Sequence, residues 1–180
     1  MINNESKKDN IVFIGMPTSG KSTVGVIVAK ILGMDFVDAD IVIQKAEGQK
    51  LSEIISDRGV DGFLECEERA ILGIDTHGAV IATGGSAVYS AKAMEHLAQR
   101  AVIVYLDVEK EELFGRLRNV KERGVVLREG ETLDDMYDTR LRLYEKYADV
   151  KISERGSTLE DTVGMVIDAL QNAYAGVSDE

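Results

Sequence analysis

The chain has 180 residues, of which 44% are hydrophobic, and a formal net charge of −11. This length and content are typical of one globular domain with a sizeable core. The negative charge argues against a nucleic-acid partner, because a duplex-binding surface needs clustered cations. The single cysteine, Cys66, excludes an internal disulfide and any multi-cysteine metal site.

The chain begins with polar residues that lack the apolar core of a signal peptide. No apolar run approaches the roughly 20 residues that span a bilayer. We therefore expect a cytoplasmic protein with no membrane partner. Residues 1–9 are predicted to form a disordered lead-in, followed by one domain over residues 10–175.

An apolar run, residues 11–14, predicts the first strand and leads into a phosphate-loop pattern: glycine, any four residues, then Gly-Lys-Ser/Thr. A helical stretch follows to residue 32. Glycines let backbone N–H groups converge on phosphate oxygens, Lys21 reaches the β- and γ-phosphates, and the Ser22 hydroxyl ligates Mg²⁺. An ordinary glycine turn is the alternative, and the strand–loop–helix context favours a site for a nucleoside triphosphate. Its predicted residues are Gly15, Pro17, Thr18, Ser19, Gly20, Lys21, Ser22 and Thr23.

A second short strand ends at two carboxylates, Asp38 and Asp40. Beside a nucleotide, one carboxylate can support Mg²⁺ and the other can contact an acceptor hydroxyl, although either residue can instead cap the next helix. Helices are predicted over residues 51–58 and 60–74. A continuous apolar strand then ends in the glycine pair Gly84-Gly85, whose backbone can approach a ligand closely.

The second half of the chain continues the alternation, with a helix near 88–98, a strand over 101–106 and a helix over 109–118. Residues 119–131 are charged and contain two glycines, which fits either a surface loop or a lid that closes over phosphates. A helix over 132–147, a short strand and a last helix follow. This pattern predicts an α/β fold with a parallel sheet covered by helices on both faces and ligands at the carboxyl ends of the strands.

Across residues 10–170 the arrangement resembles the shikimate kinase family of small P-loop kinases. The resemblance rests on the phosphate loop, the Asp38-Ala39-Asp40 element, Phe63 with Glu67, the Ala82–Gly85 turn, Arg123 in the lid, and Arg140 to Tyr144. It implies a three-layer fold with five parallel strands in the order 2-3-1-4-5 and a mobile lid. The reaction it implies is ATP-dependent conversion of shikimate to shikimate 3-phosphate with Mg²⁺, in aromatic amino acid biosynthesis.

The resemblance also implies a role for each matched residue. Lys21 holds phosphates, Asp38 supports the metal through water, and Asp40 contacts the acceptor hydroxyl as the base. Arg123 closes over the transferred phosphoryl group, and Arg116 lies against the adenine. The acceptor is held by Gly84, Gly85 and Arg140, with Arg140 on its carboxylate.

Departures from the family pattern fall mostly in the acceptor site. Leu64 stands in place of an arginine of the carboxylate clamp, Ser86 replaces a third glycine, and Thr18 stands where glycine is frequent. Arg142 is a hypothetical substitute for the missing cation. Two alternatives stay open: a kinase for another polyol or sugar acid such as gluconate, and a catalytically silent nucleotide-binding module. Among oligomeric states, a monomer is favoured.

Overall fold

The structure, a computed structural model, describes residues 8–118 and 126–175. Within these ranges, strands and helices alternate along the chain. The strands are β1 (Asn10–Gly15), β2 (Asp35–Asp38), β3 (Ala79–Ala82), β4 (Ala101–Asp107) and β5 (Val150–Ser153). The helices are α1 (Lys21–Leu32), α2 (Ala39–Glu47), α3 (Leu51–Leu72), α4 (Ala91–Ala98), α5 (Lys110–Arg118), α6 (Leu133–Tyr147) and α7 (Leu159–Ala175), with a 3₁₀ turn at Ala87–Tyr89.

The five strands form one sheet in the order β2-β3-β1-β4-β5, and every pairing is parallel. In the central strand, Val12 lies opposite Ile81 of β3 and Ile103 of β4. All six residues of β1 are buried, as expected for a strand covered on both faces. The predicted fold class and strand order are confirmed.

The side chains of β1 alternate between two hydrophobic layers, one on each face of the sheet. Val12 and Ile14 pack in the layer that includes residues of α3, α4 and α6. Ile11 and Phe13 pack in the opposite layer with residues of α1 and α7. The sheet is thus fixed between two helical layers, and its carboxyl edge is held in place to carry a site.

Helix α3 contains a break at Gly59, whose φ of 69° and ψ of −177° are not helical. Only glycine adopts this conformation readily. The break separates the two helical segments predicted over residues 51–58 and 60–74, and the second segment ends at Leu72. The second segment contributes Phe63 and Cys66 to a third buried cluster with Ile43 of α2 and Val126. This cluster joins α2, α3 and the segment before α6 beside the carboxyl edge of the sheet.

The first residues described already contact the domain. The Lys8 ammonium lies 2.9 Å from the Asp149 carboxylate, and the Asp9 backbone N–H donates to the Arg100 carbonyl at 3.0 Å. Disorder of the earlier lead-in residues stays a prediction, since residues 1–7 lie outside the described ranges. Among the helices that the structure describes, none combines the length and apolar character needed to cross a membrane.

Candidate active site

A cavity of about 880 Å³ opens at the carboxyl edge of the sheet. Parallel strands deliver the loops that follow them to this edge, so residues distant in sequence meet there. The predicted site residues in its wall are Pro17, Thr18, Gly20, Lys21, Ser22, Thr23, Asp38, Asp40, Gly84, Gly85, Arg116 and Arg140. The structure therefore brings together most of the residues that the sequence predicted for the nucleotide and the acceptor.

The phosphate loop connects β1 to α1 in a strained, close-packed turn. Gly15 has a φ of 148°, and a Cβ at this position would lie 2.7 Å from the Leu106 carbonyl oxygen, so only glycine fits. Thr18 has a φ of 65°, in the left-handed region that disfavours a β-branched residue. The Thr18 carbonyl accepts a hydrogen bond from Arg116 Nη1 at 3.0 Å, which holds this unusual conformation.

Lys21 is buried inside this loop. Its ammonium donates to the carbonyl oxygens of Gly15 at 2.9 Å and Met16 at 2.7 Å, and it lies 3.3 Å from Ser19 Oγ. Burial lowers the pKa of Lys21 to about 8, an effect that the nearby Asp40 carboxylate partly opposes. Gly15 and Ser19, which do not line the cavity, thus act by orienting the loop's cation where phosphate oxygens are expected.

Ser22 and Asp38 form the candidate metal-binding pair. The Ser22 hydroxyl donates to Asp38 Oδ2 at 2.7 Å, and Asp38 Oδ1 accepts from the Asp40 backbone N–H at 3.0 Å. Asp38 therefore caps α2, one of the two roles considered for this residue, while its support of the metal stays a prediction. Hard oxygen ligands beside a phosphate loop suit Mg²⁺, which is usually bound by one or two carboxylates or hydroxyls together with substrate phosphates. The described residues contain no larger acidic or histidine cluster that could hold a metal ion.

Asp40 and Glu67 approach the same point of the β3–α4 connection. A Cβ added to Gly84 would overlap Glu67 Oε1 and lie 3.1 Å from Asp40 Oδ1. Next to it, a Cβ on Gly85 would lie 2.8 Å from Pro17 Cδ. The two glycines therefore let this backbone pass between the carboxylates and the phosphate loop. This places the predicted acceptor turn directly beside the nucleotide site.

Glu67 is 1% exposed, and burial raises its pKa to about 7. The Ser86 side chain lowers this pKa and the Asp40 charge raises it. The charges of Arg140 and Lys21 lower it by smaller amounts. Between the ordinary value of 4.5 and about 7, the folded protein keeps a proton that the unfolded chain has released. Stability therefore falls as pH rises through this window.

Replacing Glu67 with Gln is expected to remove this loss of stability. From about pH 5 to about pH 8, the free energy of unfolding of Glu67→Gln should rise relative to wild type by on the order of 2 kcal/mol. Denaturant unfolding at both pH values measures the difference. Glu65→Gln, on the exposed side of the same helix, is the matched control and should show no such change. If the free energies of unfolding of wild type and Glu67→Gln changed in parallel with pH, the raised pKa of Glu67 would be contradicted.

Arg140 is the largest fully buried side chain at the acceptor end of the cavity. Its Nη2 donates to the Val126 carbonyl at 2.6 Å, and its Nε donates to the Tyr89 hydroxyl at 3.1 Å. The guanidinium also lies over the Tyr89 ring, 5.1 Å from its centroid. One turn further along α6, the Tyr144 hydroxyl donates to the Gly85 carbonyl at 2.6 Å. These contacts fix a positive group that can meet an acceptor carboxylate.

Arg116 lies on the nucleotide side. Besides Thr18, it contacts Glu112 on the same helix at 2.7 Å and lies 3.8 Å from Glu154. Burial raises the pKa of Glu154 and the Arg116 charge lowers it. The guanidinium is therefore held beside the phosphate loop, in a position consistent with the predicted contact to adenine.

Two predicted cations, Arg123 and Arg142, have different outcomes. Arg123 and most of the lid, residues 119–125, lie outside the described residues, so lid closure stays a prediction. Arg142 is exposed and does not line the cavity, so the structure does not support it as the substitute cation. Instead the wall includes Lys50, which precedes α3 and which no motif marked. Tyr89 and Val126 were also missed, because their roles depend on long-range packing.

Comparison with known proteins identifies the family. The family model described as shikimate kinase matches residues 17–171, most of the chain. The chain belongs to the shikimate kinase family. A shikimate kinase of Pasteurella multocida is 34% identical over 174 residues, covering 94% of this chain and 99% of that protein. One from Thermodesulfovibrio yellowstonii is 40% identical over 161 residues, covering 88% of this chain and 92% of that protein.

Solved shikimate kinase structures share the fold. A shikimate kinase of Acinetobacter baumannii in complex with shikimate superposes with a TM-score of 0.82 at 28% identity, covering 94% of this chain and 96% of that one. Membership of the shikimate kinase family makes the chain an ATP-dependent small-molecule kinase, a phosphotransferase. The cavity carries the phosphate loop at one end and Arg140 at the other.

Proposed function

We propose that the protein phosphorylates shikimate with ATP and Mg²⁺, forming shikimate 3-phosphate. The observation that carries this proposal is the single cavity wall that joins Lys21 and Ser22 to Asp40 and Arg140. It supplies, in order, a phosphate site, a carboxylate beside the acceptor hydroxyl, and a cation for the acceptor carboxylate. A catalytically silent binding module would not need the last two.

In the transfer, the acceptor hydroxyl oxygen forms a bond to the γ-phosphorus of ATP, and the bond from that phosphorus to its β-bridging oxygen breaks. ADP leaves with the electron pair, and the hydroxyl proton passes to the Asp40 carboxylate. Lys21 and the loop N–H groups stabilise charge on the phosphate oxygens. Mg²⁺, held by Ser22 with Asp38, would supply further positive charge. Because the transition state is loose, Asp40 contributes by orienting the hydroxyl as well as by accepting its proton.

The acceptor carboxylate is recognised by Arg140 alone, because Leu64 stands where the family pattern has a second arginine. Arg140 is fixed by Tyr89 and Val126, which leaves further N–H donors of its guanidinium for a carboxylate. Leu64 is half-buried and packs against the third cluster, so it offers neither charge nor donors. Losing one charge-assisted contact weakens binding by about ten- to a hundredfold. We therefore expect turnover of shikimate with a raised KM.

The Leu64→Arg variant is expected to lower the KM for shikimate by about tenfold, because it adds a second guanidinium near the acceptor end. Steady-state kinetics at saturating ATP measure this change. Leu64→Met, which keeps the apolar character, is the matched control. An unchanged or higher KM in Leu64→Arg would show that this pocket does not hold the carboxylate in the proposed way.

Coupled ADP release with ATP, Mg²⁺ and shikimate tests the proposed function. A panel of sugar acids and polyols, including gluconate, is run beside it. Shikimate should give the highest kcat/KM among the compounds of this panel. ATP binding with turnover of gluconate and none of shikimate would overturn the proposed acceptor.

A further inference from the structure

Glu67 is a deeply buried carboxylate that lines the acceptor part of the cavity. Neither of its side-chain oxygens forms a well-aligned hydrogen bond with a described residue, although the Ser86 side chain lies close enough to lower its pKa. Burying an ionised carboxylate without a partner is unfavourable by several kcal/mol in general. Buried carboxylates are therefore normally paired with a cationic group or bound to a metal or ligand. The proposed reaction assigns Glu67 no role.

A second carboxylate lies close by. Gly84 is flanked by Glu67 Oε1 on one side and by Asp40 Oδ1 on the other. The negative charge of Asp40 disfavours ionisation of Glu67 and raises the pKa of that carboxyl, adding to the larger effect of burial. A cation placed beside this pair of carboxylates would be stabilised by both.

The cations in the cavity wall are directed elsewhere. Lys21 donates to carbonyls of its own loop, Arg116 donates to the Thr18 carbonyl, and Arg140 donates to Tyr89 and Val126. Lys50 is exposed at the start of α3. None of these four forms an ion pair with Glu67 in the described structure.

The two arginines of the helix that carries Glu67, Arg58 and Arg69, pair with Glu47 instead. Position 64 lies three residues before Glu67 and so shares its helix face, the spacing at which an arginine could pair with the carboxylate. This position is Leu64, which packs with apolar neighbours. Among the described residues, therefore, no side chain forms an ion pair with Glu67.

We propose that Glu67 binds a cationic group of the acceptor, so that the pocket also takes hydroxylated carboxylic acids that carry an ammonium group. This inference rests on the proposed kinase function and extends it. The acceptor carboxylate binds Arg140, its hydroxyl lies at Asp40, and its ammonium group binds Glu67. All three side chains line the same cavity.

The chemistry of transfer is unchanged for such an acceptor. Its hydroxyl oxygen bonds to the γ-phosphorus, the bond to the β-bridging oxygen breaks, and ADP takes the electron pair. The hydroxyl proton passes to Asp40. The ammonium group keeps its protons and is not phosphorylated, so it serves only in recognition.

Matched acceptor pairs test the proposal. One pair is shikimate and its analogue in which a ring hydroxyl that is not phosphorylated is replaced by an amino group. The other pair is L-homoserine and the hydroxy acid of the same length that lacks the amino group. ADP release gives kcat/KM for each with wild type, Glu67→Gln and Leu64→Arg. Calorimetric titration of the amino analogue gives its affinity without turnover.

In wild type, the amino member of a pair should have a kcat/KM about tenfold higher or more. Glu67→Gln, which keeps the shape and loses the charge, should bring the two members to about equal values and weaken binding of the amino analogue by about the same factor. Leu64→Arg should also remove the preference, because it supplies an internal partner for Glu67.

Two results would overturn the proposal while leaving the proposed function intact. One is phosphorylation of shikimate by wild type with no preference for the amino member of either pair. The other is a preference that survives in Glu67→Gln, which would place the ammonium group elsewhere. Absence of turnover on every acceptor, shikimate included, would instead contradict the kinase function on which the proposal rests.

Discussion

Replacing Lys21 with alanine is expected to lower kcat by about a thousandfold or more, equivalent to about 4 kcal/mol of transition-state stabilisation. Lys21 is the cation inside the phosphate loop, held there by the carbonyl oxygens of Gly15 and Met16. No other cation in the described structure is placed within that loop, so the charge that develops on the phosphates would lose its nearest stabilising group. Steady-state ADP release measures the effect.

Lys30→Ala is the matched control, because Lys30 is exposed in the last turn of the same helix. It should keep near-wild-type kinetics. Thermal unfolding of Lys21→Ala should show that the fold survives, since the substitution removes a buried charge. Retention of most of the activity by a folded Lys21→Ala protein would contradict the phosphate-loop assignment.

Replacing Arg140 with methionine is expected to raise the KM for shikimate by about ten- to a hundredfold, as for loss of one charge-assisted contact. The kcat should fall less, because Arg140 is proposed to bind the carboxylate and does not touch the transferred group. Methionine fills much of the volume, yet the Val126 carbonyl loses its donor, so some loss of stability is expected as well.

Arg142→Met serves as the control two residues further along α6. Arg142 is exposed, so its replacement should leave the KM unchanged. Arg140→Lys should recover only part of the affinity, because an ammonium cannot reproduce the planar pair of donors. Equal effects of Arg140→Met and Arg142→Met would show that the buried guanidinium does not recognise the acceptor.

The sequence predicted the nucleotide side of the site well, because a phosphate loop is contiguous. Its strand, turn and helix follow one another, so the pattern of residues 15–23 is enough to place Lys21 and Ser22. The two roles considered for Asp38 also turned out to be compatible, since its two oxygens accept from different donors. The break at Gly59 falls between the two helical segments that the sequence predicted over residues 51–58 and 60–74.

The acceptor side was predicted less well, because it is assembled from distant segments. Arg140 and Arg142 look alike in sequence, but two residues rotate a helix by about 200°, so they face opposite sides. The buried residues Met136, Arg140 and Tyr144 share one face, and this spacing of four identifies Arg140 as the inward side chain. Lys50 has no comparable signal, since only the folding of α3 against α2 brings it to the cavity.

The effect of leucine at position 64 on Glu67 could be recognised only in the structure. Leu64 in place of the family's arginine reads in sequence as a weaker carboxylate clamp. In the structure, Glu67 lies three residues after Leu64, is buried, and forms no ion pair with a described residue. Leucine at position 64 therefore affects the charge balance of Glu67 as well as the binding of the acceptor carboxylate, because the two positions are three residues apart on the same helix.

The most direct test of the central claim is identification of the product formed from shikimate and ATP that carries a labelled γ-phosphate. Wild type with Mg²⁺ should transfer the label to shikimate, and Lys21→Ala should give almost none. Label that appears only as inorganic phosphate, or that remains in ATP while shikimate is present, would contradict the assignment of this cavity as a shikimate kinase site.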